Sequence, residues 1–528
     1  MASAPSAPPE SPWLKWMIVA AVMSGTIMEV IDTSAANVAL PHIAGDLGAG
    51  VDESTWVLTS YLVSNGVVLP LTGWFGIRFG RKRFFLFCQA LFILSSMACG
   101  MAPNLMFLVF FRVLQGAGGG ALVPISQAIL METFPPAQQG MAMALFGVGV
   151  MFGPIIGPTL GGYITDNYNW RWVFYINLPV GIVALILGYL LLSDPPYLKK
   201  LKAGKLDTFG LAALCVAVGC LQVMLDKGER EDWFNTDWIV YLAIVSLVAF
   251  IVFGIYELFY TKEPIVDLRV FKDNNFRVGT FLMFNLGLGL YGGIALIPLY
   301  LQNLMGYDAF KAGLATAPGG LATIIAMLIA GNAIRTVDPR AVIGMGMVIS
   351  AFGYFLMSGF SLDLSFDVVA RYRIVQGFGM GMIFVPLTTL TLAGIQKPRM
   401  GNATGIFNLL RNIGSSVGIS AVTTFLSRRG QHHQASLVHN YTPFNLTFSD
   451  RWSYISGTLT NLATQAADPL TASQRALGLL YNQLLEQSSM LAFNDCFWMI
   501  TVEFLCLLPL LALLKKGTAE QKPGLLAH

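Results

Sequence analysis

RVLQGAG (residues 112–118) and RIVQGFG (residues 373–379) are near copies of one another, set 261 residues apart, and each lies in an apolar stretch. The repeat implies that one half of the chain is built like the other, as in membrane proteins assembled from repeated helix bundles. It also places Arg112 and Arg373, two permanent charges, where hydrocarbon makes charge costly, so each is a functional candidate. Two further markers recur at nearly the same spacing: Pro41 against Pro298, and Gly73 with Arg78 against Gly331 with Arg335.

Composition agrees with that reading. Of the 528 residues, 55% are hydrophobic and 12% charged, against about 25% charged in an average soluble domain. A helix crossing the bilayer needs about 20 mostly apolar residues. Apolar runs read against their breakers predict fourteen spans, at 15–40, 55–77, 84–102, 105–131, 140–164, 172–193, 208–226, 238–260, 277–303, 311–334, 341–360, 367–394, 403–426 and 491–514. The expected fold is therefore an all-α integral membrane protein. Residues 1–193 form one six-helix half, 194–270 a linker carrying two inserted helices, and 271–528 a pseudo-symmetric second half with an external loop at 428–488. Halves of this kind enclose a midplane cavity and rock about it.

Basic residues orient the chain. Arg78, Arg81, Lys82 and Arg83 follow span two, Lys199, Lys200, Lys202 and Lys205 follow span six, and Lys515 and Lys516 follow span fourteen. The positive-inside rule places those loops, and both termini, in the cytoplasm. The opposite loops, GDLGAGVDES (45–54) and DKGEREDW (226–233), lean acidic. The leader MASAPSAPPESP has no basic start, so no cleavable signal peptide is expected. The net charge of +3 gives no reason to expect a nucleic-acid partner. Cys88, Cys99, Cys215, Cys220, Cys496 and Cys506 read as small packing residues. His432, His433 and His439 lack partners at ligand spacing, so no metal is expected.

Span one carries Glu29 and Asp32, three residues apart, with Thr33, Ala36 and Asn37 continuing the face. Burial favours the neutral form of a carboxyl group, and a nearby arginine favours the charged form, so moving a partner can switch protonation. Arg112 is the expected partner, because arginine acts by pairing or unpairing rather than by titrating. Asp32, with Glu29, is thus a candidate proton carrier. A fixed ion pair that ties helices together is the competing reading. Gly149, Gly153, Gly157 and Gly161 recur every four residues beside Pro154 and Pro158. They make a bare ridge suited to close helix contact, with a proline-favoured bend suited to a gate.

GWFGIRFGRKR (73–83), RVLQG (112–116) and GVMFGPIIGPTLGG (149–162) resemble the loop motif, helix-four motif and antiporter helix-five motif of the major facilitator superfamily. IDTSAANVALP (31–41), WRWVFYINLPVG (170–181) and NLLRNIGSSVG (408–418) resemble markers of its fourteen-helix drug:proton antiporter branch, the EmrB/QacA type. The resemblance covers almost the whole chain. It implies proton-driven export of lipophilic compounds from the inner membrane, with a periplasmic adaptor and an outer-membrane channel as partners and the loop 428–488 as a docking surface. It also implies gating or packing roles for Gly73, Arg78, Gly80, Arg81 and the span-five ridge. One departure is that Ile77 stands where the family motif usually has an aspartate.

The second half is poorer in acids, and reads as shaping the substrate cavity. Phe281, Phe284 and Tyr291 are its candidate aromatic surface, and Asn37, Gln115, Asn408 and Arg411 its candidate polar lining. Arg411 favours anionic lipophiles and the span-one acids favour cations, so both remain open. The basic loop 78–83 is expected to meet anionic lipid. No GxxxxGK[ST] loop is present, which leaves the proton gradient as the expected energy source and no cofactor. Alternatives are a dedicated metabolite or fatty-acid exporter and, from other classes, a membrane scaffold or receptor or an intramembrane enzyme.

Overall fold

The computed structural model describes residues 12–195, 197–198, 206–261, 264–462 and 469–515. Lys199, Lys200, Lys202, Lys205 and Lys516 lie outside the described residues, as does nearly all of the leader. Among the described residues the regular structure is helical, with no strand. The first half comprises α1 (Pro12–Asp46), α2 (Trp56–Val68), α3 (Thr72–Phe79), α4 (Arg81–Gly100), α5 (Leu105–Thr133), α6 (Gln139–Asn167) and α7 (Asn177–Leu191). The insert supplies α8 (Thr208–Lys227) and α9 (Asp237–Ile255). The second half comprises α10 (Asn274–Asn303), α11 (Ala309–Ala333), α12 (Pro339–Met357), α13 (Phe366–Leu392), α14 (Met400–Val438), α15 (Leu446–Leu462) and α16 (Pro469–Leu507).

Side-chain caps start several of these helices. Asn104, Asp207, Asp273 and Asp308 accept the backbone N–H three residues on, satisfying donors that a helix N-terminus leaves free. Among the described residues twelve helices are long and apolar enough to cross a membrane. The two predicted spans outside that number have local causes. Residues 55–77 are split by a tighter turn at Leu69–Leu71, where Pro70 removes a backbone donor. The helix Met400–Val438 is continuous but carries Asn408, Arg411, Asn412, Ser415 and Ser416 in its membrane section.

The halves repeat the same packing. In the first, α1 packs on α6 and α7, and α5 on α2 and α4; in the second, α10 packs on α14 and α16, and α13 on α11 and α12. Between halves, α6 meets α11 and α3 meets α14. The insert touches both: Thr59 bonds Asp226, and Ser416 Oγ donates to Gln222 Oε1 at 2.7 Å. The expected loop at 428–488 is mostly helix instead. α14 runs on to Val438, α15 follows, and TASQRALGLLYNQLLEQ (471–487), whose leucines recur at helical spacing, falls in the first part of α16. At 1.5 Å per residue the 39 residues of α14 extend about 58 Å, well beyond a hydrocarbon core of about 30 Å.

Candidate functional site

The charged centre of the first half is built on glycine. A β-carbon at Gly116 would lie 2.5 Å from the Tyr61 carbonyl oxygen, and one at Gly120 2.6 Å from that of Asn65. Only bare backbone lets α5 approach α2 so closely. This contact sets Tyr61 and Asn65 beside the acids of α1. Asp32 and Arg112 are both wholly buried, and Arg112 Nη1 donates to Asp32 Oδ2 at 2.7 Å. Asp32 Oδ1 accepts from Gln115 Nε2 at 2.9 Å and Asn177 Nδ2 at 2.6 Å. Arg112 also donates to Gln115 Oε1 at 2.8 Å and to the Val57 carbonyl at 3.0 Å. Its guanidinium carbon sits 4.2 Å from the Tyr61 ring centre, a cation–π contact that strengthens when desolvated. Its Nη2 has no hydrogen-bond partner.

Glu29 belongs to an adjoining cluster rather than to the ion pair. Its Oε1 accepts from the Tyr61 hydroxyl at 2.9 Å and from Asn65 Nδ2 at 3.2 Å. Tyr61 therefore touches both acids' neighbourhoods, with its ring against Arg112 and its hydroxyl on Glu29. The rest of the predicted polar stripe diverges. Thr33 bonds back to the Glu29 carbonyl, Ala36 is buried and Asn37 is exposed.

The seam between the halves beside the basic turn 78–83 is also glycine-built. A β-carbon at Gly73 would lie 2.7 Å from the Asn402 backbone, and one at Gly331 2.9 Å from Ala144 and 3.0 Å from the Gly140 carbonyl. The repeated glycines thus hold equivalent crossings between the halves. Gly80 turns the chain between α3 and α4 at φ 85°, a conformation that favours glycine, and two residues on the amide of Lys82 donates to Asp194 Oδ1 at 2.9 Å. Arg81 pairs with Glu132 in a buried contact and reaches the Lys397 carbonyl of the other half at 3.4 Å. Glu132 thereby supplies an acid that Ile77 cannot. Arg78 is exposed.

A sequence profile of the Major Facilitator Superfamily matches residues 22–419. The chain belongs to that superfamily. It is 37% identical over 492 residues to "Multidrug export protein EmrB" of Escherichia coli (strain K12), covering 93% of each chain. It is 36% identical over 507 residues to "Fatty acid resistance protein FarB" of Neisseria gonorrhoeae, covering 95% of this chain and 96% of that one. The crystal structure of the human organic anion transporter MFSD10 (TETRAN) superposes with a TM-score of 0.59 at 15% identity, covering 95% of this chain and all of that one, and this likeness concerns the fold alone. This facilitator is thus a multi-pass, EmrB-like membrane transporter rather than an enzyme.

The expected cavity residues scatter. Gln115 is a ligand of Asp32, and Asn408 is buried, donating to Gln127 Oε1 of the other half at 2.6 Å. Phe281 is 53% exposed, while the backbone of Phe284 lies against Gly414. Tyr291 and Arg411 do meet, lining a crevice with Met151, Met283 and Phe384. That crevice holds about 10 Å³, near the minimum for one water. A drug-sized ligand does not fit that crevice as it stands. The ridge of Gly149, Gly153, Gly157 and Gly161 faces Met23, Val30, Ser34 and Ala35 of α1, within one half, with Pro154 and Pro158 half-buried beside it. The contact of α6 with the other half is made by a different face, where Gly140 and Gly147 meet Gly331 and Met327. Nothing local in the sequence marks Tyr61, Asn65 or Glu132 for these contacts. Asn177 was within reach, because it sits inside the WRWVFYINLPVG stretch.

Proposed function

We propose that this chain exports lipophilic toxicants across the inner membrane in exchange for protons, by alternating access. Asp32 is the proton carrier, Arg112, Gln115 and Asn177 hold its charged form, and Glu29 tunes the centre through Tyr61. The observation that carries this reading is the wholly buried Asp32–Arg112 pair, since intramembrane charge of this kind marks ion pathways. Identity to a multidrug export protein over 93% of the chain supports the substrate class. In this reading the chain crosses the membrane fourteen times with both termini cytoplasmic, the broken α2–α3 and the polar α14 being the two further spans. Gly73, Gly331 and the Arg81–Glu132 pair form the cytoplasmic gate. The external α14–α15–α16 projection docks a periplasmic adaptor leading to an outer-membrane channel.

The deciding experiment is drug-triggered proton movement in proteoliposomes under an imposed pH gradient, comparing the parent with Asp32→Asn. Coupled flux lost with drug binding retained is the expected result. Unchanged flux in the variant removes Asp32 from coupling, and no proton movement in the parent removes exchange altogether. A second reading, export of fatty acids, draws on Arg411 in the crevice and on the similarity to the fatty acid resistance protein. Competition of drug export by a long-chain fatty acid, lost in Arg411→Gln, separates the two.

A further inference from the structure

The second half contains a carboxylate that the mechanism above does not use. Glu503 lies near the C-terminal end of α16, in the middle of the apolar run 491–514, and among the described residues its buried Oε1 has no hydrogen-bond partner. Its position relates to the internal repeat. Asp32 stands nine residues before Pro41, and nine residues before the matching Pro298 is Gly289. A β-carbon at Gly289 would lie 3.2 Å from Glu503 Oε2 and 2.8 Å from Phe504. The acid that α1 carries in the first half is therefore missing from α10, and a carboxylate from α16 comes to the vacated place.

The surroundings of Gly289 link that carboxylate to the second arginine. The Tyr354 hydroxyl donates to the Gly289 carbonyl at 3.2 Å and accepts from Gln376 Nε2 at 3.2 Å. Gln376 Oε1 in turn accepts from Arg373 Nη1. Tyr354 stands within electrostatic reach of both Arg373 and Glu503, and its ring stacks on Phe504 at 6.0 Å. Of the helices packed against it, α10 brings Gly289 to Glu503 and α12 brings Tyr354, an ionisable group within its electrostatic reach. An unpaired carboxylate in such surroundings is stable only when it holds a proton, and intramembrane acids of this kind mark proton relays.

We infer that Glu503 is a second proton-binding site, located in the second half, whose loaded and empty states are sensed by Arg373 through Tyr354 and Gln376. When the proton leaves, the new negative charge draws the Tyr354 hydroxyl from the Gly289 carbonyl, and the Gln376–Arg373 contact rearranges in response. The inference rests on the proton-exchange reading for its purpose but not for its test. Infrared difference spectra of the full chain in lipid, recorded across pH, should show a protonated-carboxyl band that disappears in Glu503→Gln and persists, shifted, in Glu503→Asp. Tyr354→Phe, which keeps the ring and the stacking, should move that band while leaving it titratable. In transport assays Glu503→Gln should lower the number of protons moved per drug molecule and retain Asp32-dependent flux. An infrared spectrum unchanged by Glu503→Gln overturns the assignment whatever the flux. A parent that exchanges no protons overturns the exchange reading instead, and the band still decides Glu503.

Discussion

Arg112 and Arg373 occupy the same place in the repeat and have different company. Arg112 is wholly buried and meets Asp32 directly, with Gln115 bridging the pair. Arg373 is half-buried and, among the described residues, its side chain hydrogen-bonds the neutral Gln376, itself bonded to Tyr354. The heptapeptide thus conserves a position for charge within the molecule, and the residue opposite decides what the charge can do. An arginine beside an acid can gate a proton, whereas an arginine beside an amide can respond to charge elsewhere but cannot by itself exchange one.

The largest effect expected from that difference is on stability. Asp32→Ala strands a buried guanidinium and should cost about 3–5 kcal/mol, read as thermal unfolding in detergent. Arg373→Ala strands no acid in direct contact, so it should cost about 1–3 kcal/mol, the range for losing a charged hydrogen bond. Equal losses would erase the distinction between the halves. Gly73→Leu and Gly331→Leu come next, and should act alike because both glycines sit at equivalent crossings. Overpacking costs about 1–3 kcal/mol, so each variant should insert normally, lose drug export from cells, and open its cytoplasmic side to a membrane-impermeant thiol reagent. A defect in one and not the other would show that the two seams are unequal.

Smaller effects sharpen the first-half site. Tyr61→Phe keeps the ring on Arg112 and removes the hydrogen bond to Glu29; the expected cost is about 1 kcal/mol, with a shift in the pH dependence of export and no loss of the Asp32 pathway. The smallest effect belongs to Arg78→Gln, within about 0.5 kcal/mol because the side chain is exposed. Arg81→Gln, which strands the buried Glu132, should destabilise far more in the same melting assay.

Much of the fold was legible because its signals are local. Apolar runs of bilayer length and a repeated heptapeptide need no knowledge of contacts, and Asp32 and Arg112 were visible because charge inside an apolar stretch is rare. Local signals also misled. The four-residue spacing of the span-five glycines revealed a bare face but not its neighbour, which is α1 of the same half. The polar character of 428–488 suggested an external loop, whereas α14 runs unbroken to Val438 and α16 already starts at Pro469. Asn408 and Gln115 looked like cavity residues because a polar side chain in a span must find a partner, and sequence does not say whether that partner is substrate or another helix.

The sequence by itself determined the membrane-spanning helices, their duplication, and the two arginines in register, since burial of apolar length and the cost of intramembrane charge act on consecutive residues. Only the tertiary structure decided that Asp32 is held by Asn177 and Gln115, that Tyr61 joins Arg112 to Glu29, that Arg81 pairs with Glu132, and that Glu503 comes to the place opened by Gly289. Those contacts join residues tens to hundreds of positions apart. They depend on which helices lie side by side and how closely their glycines let them approach, and no single helix carries that information.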